Sequence, residues 1–295
     1  MSAMIKSAFF KNFFISYPLM LRRLRFYDSS IADLQVMTSY NEEKLTNIIE
    51  GAMEKENIAA IILGAGKGTR MKSDLPKVMM PVSGKPMIKH IINTLEEMGT
   101  KEIVTIISSD GELVKKETAP YKTAVQAQQL GTGHAVLCAK EALKGFEGAV
   151  LVIFGDTPLI KKETFLKAVK KIREGYAVVV LGFEPEDAAR YGRLKMDGGE
   201  LLSIVEFKDA TDEEKKITFC NSGCMGFDGK YLFEILERIG NENAAGEYYL
   251  TDAVKIAREM GLKCTAIKGD AKEVASANTR EELALLEQFY KERQA

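Results

Sequence analysis

The sequence has little that would select a polyanion, a membrane or a metal. Among its 295 residues, 41 lysines and arginines nearly balance 42 aspartates and glutamates, so no overall charge favours nucleic acid or an anionic membrane. Only four cysteines and two histidines are present, and no two cysteines have C-x-x-C spacing. We therefore expect no zinc site, and we predict reduced, buried thiols in a cytoplasmic protein. Any anion-binding site must be local.

Long apolar runs are also missing, so no transmembrane segment is expected. The first 27 residues carry basic but no acidic side chains, and their apolar stretch at 9–21 is short and interrupted. A transit peptide, a membrane-surface helix and a disordered tail all stay open for this part. We expect residues 1–52 to be an extension that is poorly ordered or loosely packed. Residues 53–295, within a chain of 46% hydrophobic content, are expected to form one domain.

The chain is organised around the stretch from Ile58 to Pro81. Its first six residues, IAAIIL, form an apolar run of the length of a strand that is buried on both faces. Three glycines follow within residues 64–68, and such a loop lets backbone N–H groups approach an anion without a Cβ in the way. Two cations, Arg70 and Lys77, come next. This combination suits a polyphosphate.

Neither of the two common phosphate-binding glycine motifs fits this loop. A Walker loop requires Gly-x4-Gly-Lys-Ser/Thr, but Gly66 and Lys67 are followed by Gly68, and the position five before Gly66 is Ile61. The dinucleotide-binding fingerprint requires a third glycine where this chain has Thr69. On the glycines alone, a flexible turn with solvated charges stays open.

Strand and helix patterns alternate after the loop. A helix is predicted between Pro86 and Gly99, and strands are predicted at 102–107, 123–126 and 149–154. This alternation is typical of an α/β fold with a Rossmann-like, doubly wound, mixed and mostly parallel sheet. Ligands of such sheets bind beyond the carboxyl ends of the strands, where the strand order reverses.

The pattern loosens after Val178. The Gly198–Gly199 turn predicts a hairpin, which we interpret as part of a small lobe grafted on the sheet. Thr279 with Glu282 forms a capping box at the start of the last helix.

The stretches LGAGKGTRM at 63–71 and LPK at 75–77 resemble the signature of sugar-1-phosphate nucleotidylyltransferases. Within that family they are similar to the uridylyltransferase half of the bifunctional N-acetylglucosamine-1-phosphate uridylyltransferases/glucosamine-1-phosphate acetyltransferases, and the similarity extends from Ile58 to Leu286. The resemblance implies the fold of nucleotide-diphospho-sugar transferases. It also implies that a triphosphate is held by two catalytic cations, Arg70 and Lys77. The loop that holds it comprises Leu63, Gly64, Ala65 and Gly66.

A second motif, QAQQLGTGH at 126–134, lies between a predicted strand and a predicted helix. A side-chain amide offers a donor and an acceptor that match the O4 and N3 edge of uracil, and a glycine lets the backbone meet the base. In the family that this motif resembles, the first glutamine and the Gly-Thr pair hold the uracil, which implies Gln126, Gly131 and Thr132. Read alone, the stretch is also typical of a polar helix N-cap loop.

A metal site is predicted at the end of the strand at 149–154. Asp156 follows that buried strand, and a buried carboxylate is costly unless it is paired. Mg²⁺ is a natural partner because it takes oxygen ligands and bridges protein to phosphate. We therefore predict that Asp156 is catalytic and holds Mg²⁺, the alternative being an aspartate that caps the next turn. The resemblance implies a second ligand, Asn278, which otherwise merely precedes the Thr279 cap.

The resemblance further implies a pocket for an N-acetylhexosamine. A carboxylate that accepts sugar hydroxyls and an amide that faces the acetamide are chemically apt there. Each residue by itself is more often a surface polar residue. The implied residues are Phe154, Gly155, Gly192, Glu206, Asn221, Tyr249 and Thr251.

Taken together, the motifs predict a Mg²⁺-dependent nucleotidyltransferase that converts UTP and N-acetylglucosamine 1-phosphate to UDP-N-acetylglucosamine and pyrophosphate. The alternatives are an enzyme for another sugar 1-phosphate or nucleotide, and a non-catalytic sugar-nucleotide-binding regulator. Only 17 residues follow Asn278, so the hexapeptide-repeat β-helix of the acetyltransferase half is not expected. A monomer, a homo-oligomer and a separate acetyltransferase partner stay open.

Overall fold

The computed structural model describes residues 57–66, 71, 73, 75–188 and 191–294. The predicted extension at 1–52 lies outside these residues, and so does Arg70. Within the described residues there are eleven strands: β1 (Ile58–Leu63), β2 (Pro81–Val82), β3 (Lys85–Pro86), β4 (Glu102–Ile107), β5 (Lys122–Val125), β6 (Ala149–Phe154), β7 (Val178–Phe183), β8 (Arg193–Asp197), β9 (Glu200–Val205), β10 (Cys220–Asp228) and β11 (Cys264–Lys268). The same residues contain seven α-helices: α1 (Met87–Glu97), α2 (Glu112–Thr118), α3 (Thr132–Leu137), α4 (Lys162–Arg173), α5 (Gly229–Leu236), α6 (Ala253–Glu259) and α7 (Arg280–Gln294).

Nine of these strands form one sheet, with the order β11-β7-β10-β6-β1-β4-β5 and the hairpin β8–β9 attached through β10. Strand β10 is antiparallel to both β6 and β7, whereas the other neighbours along that order are parallel. The predicted α/β fold with a mixed, mostly parallel sheet is therefore confirmed.

Strand β1 is buried on both faces, as its apolar run predicts. Ile58, Ala60 and Ile62 belong to one core cluster, and Ala59 and Ile61 belong to another, because successive side chains of a strand point to opposite faces. Helices α1 and α4 pack into the first cluster, and α3, α5 and α6 pack into the second. Full burial of each isoleucine side chain contributes about 1.5–3 kcal/mol. Helices on both faces make the sheet doubly wound.

The strand order reverses at β1, which lies between β6 and β4. Leu63 pairs with Phe154, so β1 and β6 end at the same rim of the sheet. Gly64 N–H donates to the Ile106 carbonyl at 2.9 Å, and Gly155 N–H donates to the Leu63 carbonyl at 2.9 Å. The loops after both strands are thereby held together at the position where open α/β sheets bind their ligands.

Several predicted elements appear where the sequence pattern places them. The strands at 102–107 and 149–154 have the predicted bounds, and the strand predicted at 123–126 is observed one residue earlier. The hairpin β8–β9 turns at Gly198 and Gly199, whose φ angles of 51° and 88° suit a two-residue hairpin turn.

Helix α7 returns the end of the chain to this rim. Leu286 is 1% exposed and packs in a third core cluster with residues of β2 and α1. The predicted capping box forms only in part: Glu282 N–H donates to Thr279 Oγ1 at 3.2 Å, but Glu282 Oε2 accepts from Asn278 N–H at 2.6 Å. Asn278 is therefore fixed directly before α7. In the part of the chain that the structure describes, no helix has the length and hydropathy needed to cross a bilayer.

Candidate active site

A cavity of about 440 Å³ lies at the rim where β1 and β6 end. Seven separate stretches of the chain line it: the end of β1 with its loop, the short helix at 77–79, β4, the loop after β5 with the start of α3, the end of β6 with its loop, Glu247, and Asn278 before α7. The predicted residues that line the cavity are Leu63, Ala65, Gly66, Lys77, Gln126, Gly131, Thr132, Phe154, Asp156 and Asn278. The structure thus brings most of the predicted nucleotide and metal residues together, while Gly64 contributes through its backbone bond to β4.

The Lys77 ammonium group lies at the centre of this rim. Lys77 Nζ forms an ion pair with Asp156 Oδ2 and donates a hydrogen bond of 2.7 Å to Asn278 Oδ1. The side chains of Lys77 and Asp156 are only 14% and 12% exposed, so solvent screens this pair weakly. A carboxylate after β6 and an amide oxygen before α7 therefore converge on one positive charge.

The same two oxygens suit a divalent cation. Carboxylate and amide oxygens are hard ligands, and Mg²⁺ sites often combine one or two such ligands with water and phosphate oxygens. Asp156 is 9% exposed, which makes a cationic partner necessary for its ionised form. The contacts of Lys77 show that a positive charge can lie within reach of both Asp156 and Asn278. These two residues could hold a metal.

The loop after β5 is organised around Gln126, which is 5% exposed. Gln126 Nε2 donates to the Gly131 carbonyl at 3.0 Å and lies 3.1 Å from His134 Nδ1. The amide nitrogen therefore has two partners inside the loop. Among the described residues the side-chain oxygen of Gln126 has no such contact, so Oε1 is the atom left to meet a ligand.

Backbone hydrogen bonds attach this loop to the segment that precedes α6. Gly133 N–H donates to the Tyr248 carbonyl at 2.8 Å, and Tyr248 N–H donates to the Leu130 carbonyl at 2.8 Å. Leu250 N–H donates to Thr132 Oγ1 at 3.1 Å. These three bonds fix the loop that carries Gln126 and Thr132 against residues 248–250.

Four of the predicted sugar residues form a second cluster. Thr251 Oγ1 donates to Glu206 Oε1 at 3.0 Å. A Cβ placed on Gly192 would lie 3.5 Å from each carboxylate oxygen of Glu206, so the carboxylate lies directly over the glycine. Asn221 N–H donates to the Gly192 carbonyl at 2.8 Å. The two ends of the hairpin β8–β9, strand β10 and the short helix at 250–252 thus bring together residues that are far apart in sequence.

Burial dominates the electrostatics of this second cluster. It raises the pKa of the Glu206 carboxyl above its usual range, and the carboxylates of Asp209 and Asp252 raise that pKa further, while the bond from Thr251 partly opposes them. Burial also raises the pKa of Tyr249, with additional contributions from Asp209 and Glu206. The Glu206 charge therefore acts on the Tyr249 hydroxyl. No cationic side chain in the described part of the chain is among the groups that shift the pKa of Glu206.

Phe154 connects the cavity with the turn that carries Asn221. The Phe154 side chain lines the cavity, and its ring packs on Gly223, where an added Cβ would lie 2.6 Å from Cε2 of the ring. Asn221 Oδ1 accepts from Gly223 N–H at 2.9 Å. Gly155 is packed as tightly, since a Cβ there would lie 2.7 Å from Val78 Cγ1. Gly155 is therefore tightly packed, and its predicted contact with the sugar stays a prediction.

Sequence reasoning did not select five of the cavity residues: Val78, Ile106, Gln129, Ala135 and Glu247. Gln129 Nε2 donates to the Ala65 carbonyl at 2.6 Å and so joins the motif at 126–134 to the glycine loop. Because Gln129 lies inside that motif, the sequence could have identified it as a cavity residue. Glu247 lies two residues before Tyr249, which was predicted to line the sugar pocket, so its position in that stretch was a signal of the same kind. The pairing of residues 248–250 with the loop after β5 brings Glu247 to the cavity.

The family of the chain follows from the comparison with known proteins. Residues 60–221 match the model of the MobA-like NTP transferase domain. The chain belongs to this family. The chain is 48% identical over 237 residues to the bifunctional protein GlmU of Paramagnetospirillum magneticum, a match that covers 80% of this chain and 53% of that protein. For GlmU of Rhodospirillum rubrum the identity is 50% over 231 residues, or 78% and 52% of the two chains.

A third relative, GlmU of Roseobacter denitrificans, is 47% identical over 239 residues, which cover 80% of this chain and 53% of the relative. These matches confirm the resemblance to the bifunctional family that the motifs indicate. The chain spans about half the length of the curated relatives that it matches.

The close approach of Gly131 to Tyr248 gives a test of the loop in this NTP transferase domain. Gly131 has a φ of +114°, and an added Cβ would lie 2.6 Å from the Tyr248 carbonyl oxygen. The ψ of 173° places Gly131 in an extended, positive-φ conformation that is essentially restricted to glycine. We expect Gly131→Ala to lower the free energy of unfolding by about 2–5 kcal/mol, from this backbone strain and overpacking together. Urea unfolding at constant pH measures the change.

Gly145 provides the matched control, because its φ is +71° and an added Cβ would meet nothing within 4 Å. Gly145→Ala should cost only the backbone term of about 1–2 kcal/mol. Equal losses for the two variants would contradict the proposed contact between Gly131 and Tyr248.

The raised pKa of Glu206 predicts that this NTP transferase domain gains stability from Glu206→Gln at high pH. The folded state holds the Glu206 proton more tightly than the unfolded state, so the contribution of this group to stability falls as the pH rises from its unfolded pKa to its raised folded pKa. Above that window the buried carboxylate is ionised and costly. Melting temperatures should show a larger gain from Glu206→Gln at pH 8 than at pH 5.

Glu141, which is exposed, serves as the matched control. Glu141→Gln should shift the melting temperature equally at both pH values. A Glu206→Gln variant whose effect is likewise independent of pH would show that the carboxyl is not destabilised by burial.

Proposed function

We propose that the chain transfers a uridylyl group from UTP to N-acetylglucosamine 1-phosphate, forming UDP-N-acetylglucosamine and pyrophosphate. One observation carries this proposal: Lys77, Asp156 and Asn278 meet at a cavity that also contains the Gln126 loop. The charged centre formed by Lys77, Asp156 and Asn278 suits the phosphates of a nucleoside triphosphate, and the polar loop at Gln126 suits its base. The bifunctional relatives support the choice of reaction. The second cluster, formed by Gly192, Glu206, Asn221 and Thr251, supports the choice of the sugar phosphate as acceptor.

The phosphates are proposed to lie against Ala65, Gly66 and Lys77. A cation about 4 Å from a phosphate charge gains roughly 4 kcal/mol at an effective dielectric constant near 20, before desolvation is subtracted. Lys77 already lies at the cavity wall, so little rearrangement is needed for its ammonium group to contact phosphate oxygens. We propose the same role for Arg70, which lies outside the described residues.

We propose Mg²⁺ as the cofactor, with Asp156 and Asn278 as its protein ligands. The carboxylate and amide oxygens fit this ion, as their shared contact with the Lys77 ammonium indicates. When bound, the ion would neutralise charge that develops on the phosphate oxygens. Glu282 holds the Asn278 backbone, and the ends of β1 and β6 hold Asp156, so the two ligands are positioned before any ion arrives.

In the proposed reaction an oxygen of the sugar 1-phosphate attacks the α-phosphorus of UTP in line. A new bond forms between that oxygen and the α-phosphorus, and the bond from the α-phosphorus to the oxygen that bridges to the β-phosphate breaks, releasing pyrophosphate. The attacking phosphate is already anionic near neutral pH, so no general base is needed. The contribution of the protein is therefore positioning and charge stabilisation, with Lys77 facing the departing pyrophosphate.

The cluster of Gly192, Glu206, Asn221 and Thr251 is proposed to hold the sugar. The ionised Glu206 carboxylate can accept hydrogen bonds from sugar hydroxyls, which would offset the cost of its burial. Asn221 Oδ1 already accepts from Gly223 N–H, so the amide nitrogen of Asn221 is left to donate to the acetamide carbonyl. Tyr249 and Phe154 are proposed to line the same pocket.

We propose a cytoplasmic location, since the thiols of Cys138, Cys220, Cys224 and Cys264 are all free and a reducing compartment would keep them so. Burial raises the pKa of the Cys224 thiol to about 11, which suits an inert structural cysteine. A homo-oligomer and a separate acetyltransferase partner stay predictions.

Pyrophosphate release tests the proposed function. The full chain with Mg²⁺ should release pyrophosphate from UTP when N-acetylglucosamine 1-phosphate is present and not when every sugar phosphate is left out. Release should be slower with glucose 1-phosphate as the acceptor, or with CTP, GTP or ATP in place of UTP. A preference for another sugar phosphate or nucleotide would replace the proposed substrates. Binding of UTP without any Mg²⁺-dependent turnover would instead indicate a regulator.

Lys77→Met tests the charged centre. We expect turnover to fall about a hundred- to a thousand-fold, because loss of one such cation raises the barrier by roughly 3–4 kcal/mol. The same change removes the ammonium that occupies the Asp156 and Asn278 oxygens, so Mn²⁺ should bind more tightly than to the unaltered chain when no nucleotide is present. Titration calorimetry measures this second effect without relying on activity.

Lys122→Met is the matched control, since Lys122 is half exposed and pairs with Glu102 at 2.8 Å outside the cavity. It should change neither turnover nor Mn²⁺ affinity. Near-normal turnover of the Lys77→Met chain would contradict the proposed role of Lys77 in catalysis.

A further inference from the structure

His134 makes a contact that the proposed function does not use. Its ring nitrogen Nδ1 lies 3.1 Å from Gln126 Nε2, and the same amide nitrogen lies 3.0 Å from the carbonyl oxygen of Gly131. Gln126 is 5% exposed and lines the cavity. The histidine therefore contacts, from outside the cavity lining, the side chain that is proposed to meet the base.

The two contacts define which way the Gln126 amide points. A backbone carbonyl can only accept a hydrogen bond, so the atom of Gln126 that faces Gly131 must be the amide nitrogen. A primary amide has two hydrogens, and the second is available to His134 Nδ1 when that nitrogen is unprotonated. His134 then carries its ring proton on Nε2. Reversing the amide would place its oxygen against the Gly131 carbonyl.

This orientation matters for which base can bind. With both amide hydrogens engaged inside the loop, Gln126 offers only the acceptor Oε1 to the cavity. The N3 position of uracil is an N–H donor and complements that oxygen, whereas N3 of cytosine is an acceptor and opposes it. In the pose that pairs uracil N3–H with Oε1, cytosine N3 could be matched only by reversing the amide, which would break the contacts with both Gly131 and His134. The 4-amino group of cytosine could reach Oε1 only if the base shifted from that pose.

We propose that His134 is a positioning residue for base selectivity: its Nδ1 holds the Gln126 amide in the orientation that accepts from uracil N3–H and rejects cytosine. This inference rests on the proposed function, since it assumes that Gln126 meets the base of the nucleotide. His134 itself does not touch the substrate in this arrangement.

A packing role for His134 is the rival explanation. The side chain is half-buried, and its ring lies 6.4 Å from the ring of Tyr248, at an angle of 39°. Two substitutions separate the roles. His134→Leu keeps most of the volume but removes the acceptor, whereas His134→Asn loses volume but keeps an acceptor near the position of Nδ1. Packing predicts that Asn is the worse replacement, and amide positioning predicts that Leu is.

The test is the ratio of kcat/KM for UTP to kcat/KM for CTP, measured by pyrophosphate release on the full chain. We expect His134→Leu to lower this ratio about tenfold, mainly through slower use of UTP, since one hydrogen bond to a buried amide is lost. His134→Asn should keep the ratio within about threefold of the unaltered chain. The KM for the sugar phosphate should not change in either variant.

A second comparison uses Gln126→Ala as the background. If His134 acts through Gln126, adding His134→Leu to Gln126→Ala should leave the ratio unchanged, because the two residues then form one coupled unit. An equal tenfold fall in both backgrounds, an unchanged ratio in the His134→Leu chain, or an Asn variant no better than Leu would each overturn the inference. If His134→Leu does not fold, His134→Ala takes its place. Failure of the unaltered chain to use UTP would instead overturn the proposed function.

Discussion

The contact of one ammonium group with two oxygens holds the active-site rim of this domain together. Lys77 joins Asp156, which follows β6, to Asn278, which precedes α7. Removing one member of a buried charged pair typically costs about 3–5 kcal/mol, yet replacing a whole pair by apolar side chains is often neutral or stabilising. Stability alone therefore does not explain this arrangement. The proposed binding of a polyphosphate and a divalent cation does explain it, because both need charges that are already positioned.

The segment at 248–251 connects the two halves of the site. Tyr248, its first residue, exchanges backbone hydrogen bonds with the loop that carries Gln126. Thr251, its last residue, donates a hydrogen bond to the Glu206 carboxylate in the second cluster. Leu250, between them, donates to Thr132 Oγ1. The loop that is proposed to hold the base and the carboxylate that is proposed to hold the sugar are thus fixed to the same short piece of backbone. Their separation is then set by the covalent chain, which suits a reaction whose main requirement is in-line positioning.

The sheet and the first half of the site could be predicted from sequence because they depend on local pattern. An unbroken apolar run identifies β1, and the rule for carboxyl ends of strands places Gly64, Gln126 and Asp156 at one rim. Asn278 came only from a resemblance, since no periodicity links a residue before the last helix to β6. The loop pairing that brings Glu247 to the cavity has no local pattern, and the internal use of the Gln126 amide nitrogen depends on the fold of its own loop.

The polar groups of the site share a property that suits the proposed ligands. Each satisfies part of its hydrogen-bonding capacity inside the protein and leaves one atom over: Gln126 leaves its oxygen, Asn221 its amide nitrogen and Glu206 one carboxylate oxygen. Internal bonds of this kind fix the rotamers, so no side chain has to be ordered when the ligand binds. The leftover atoms also carry the cost of burial until the ligand pairs with them, as the raised pKa of Glu206 shows. A site built in this way selects against any ligand that leaves such an atom unpaired, and this selection is stronger than that available from shape alone.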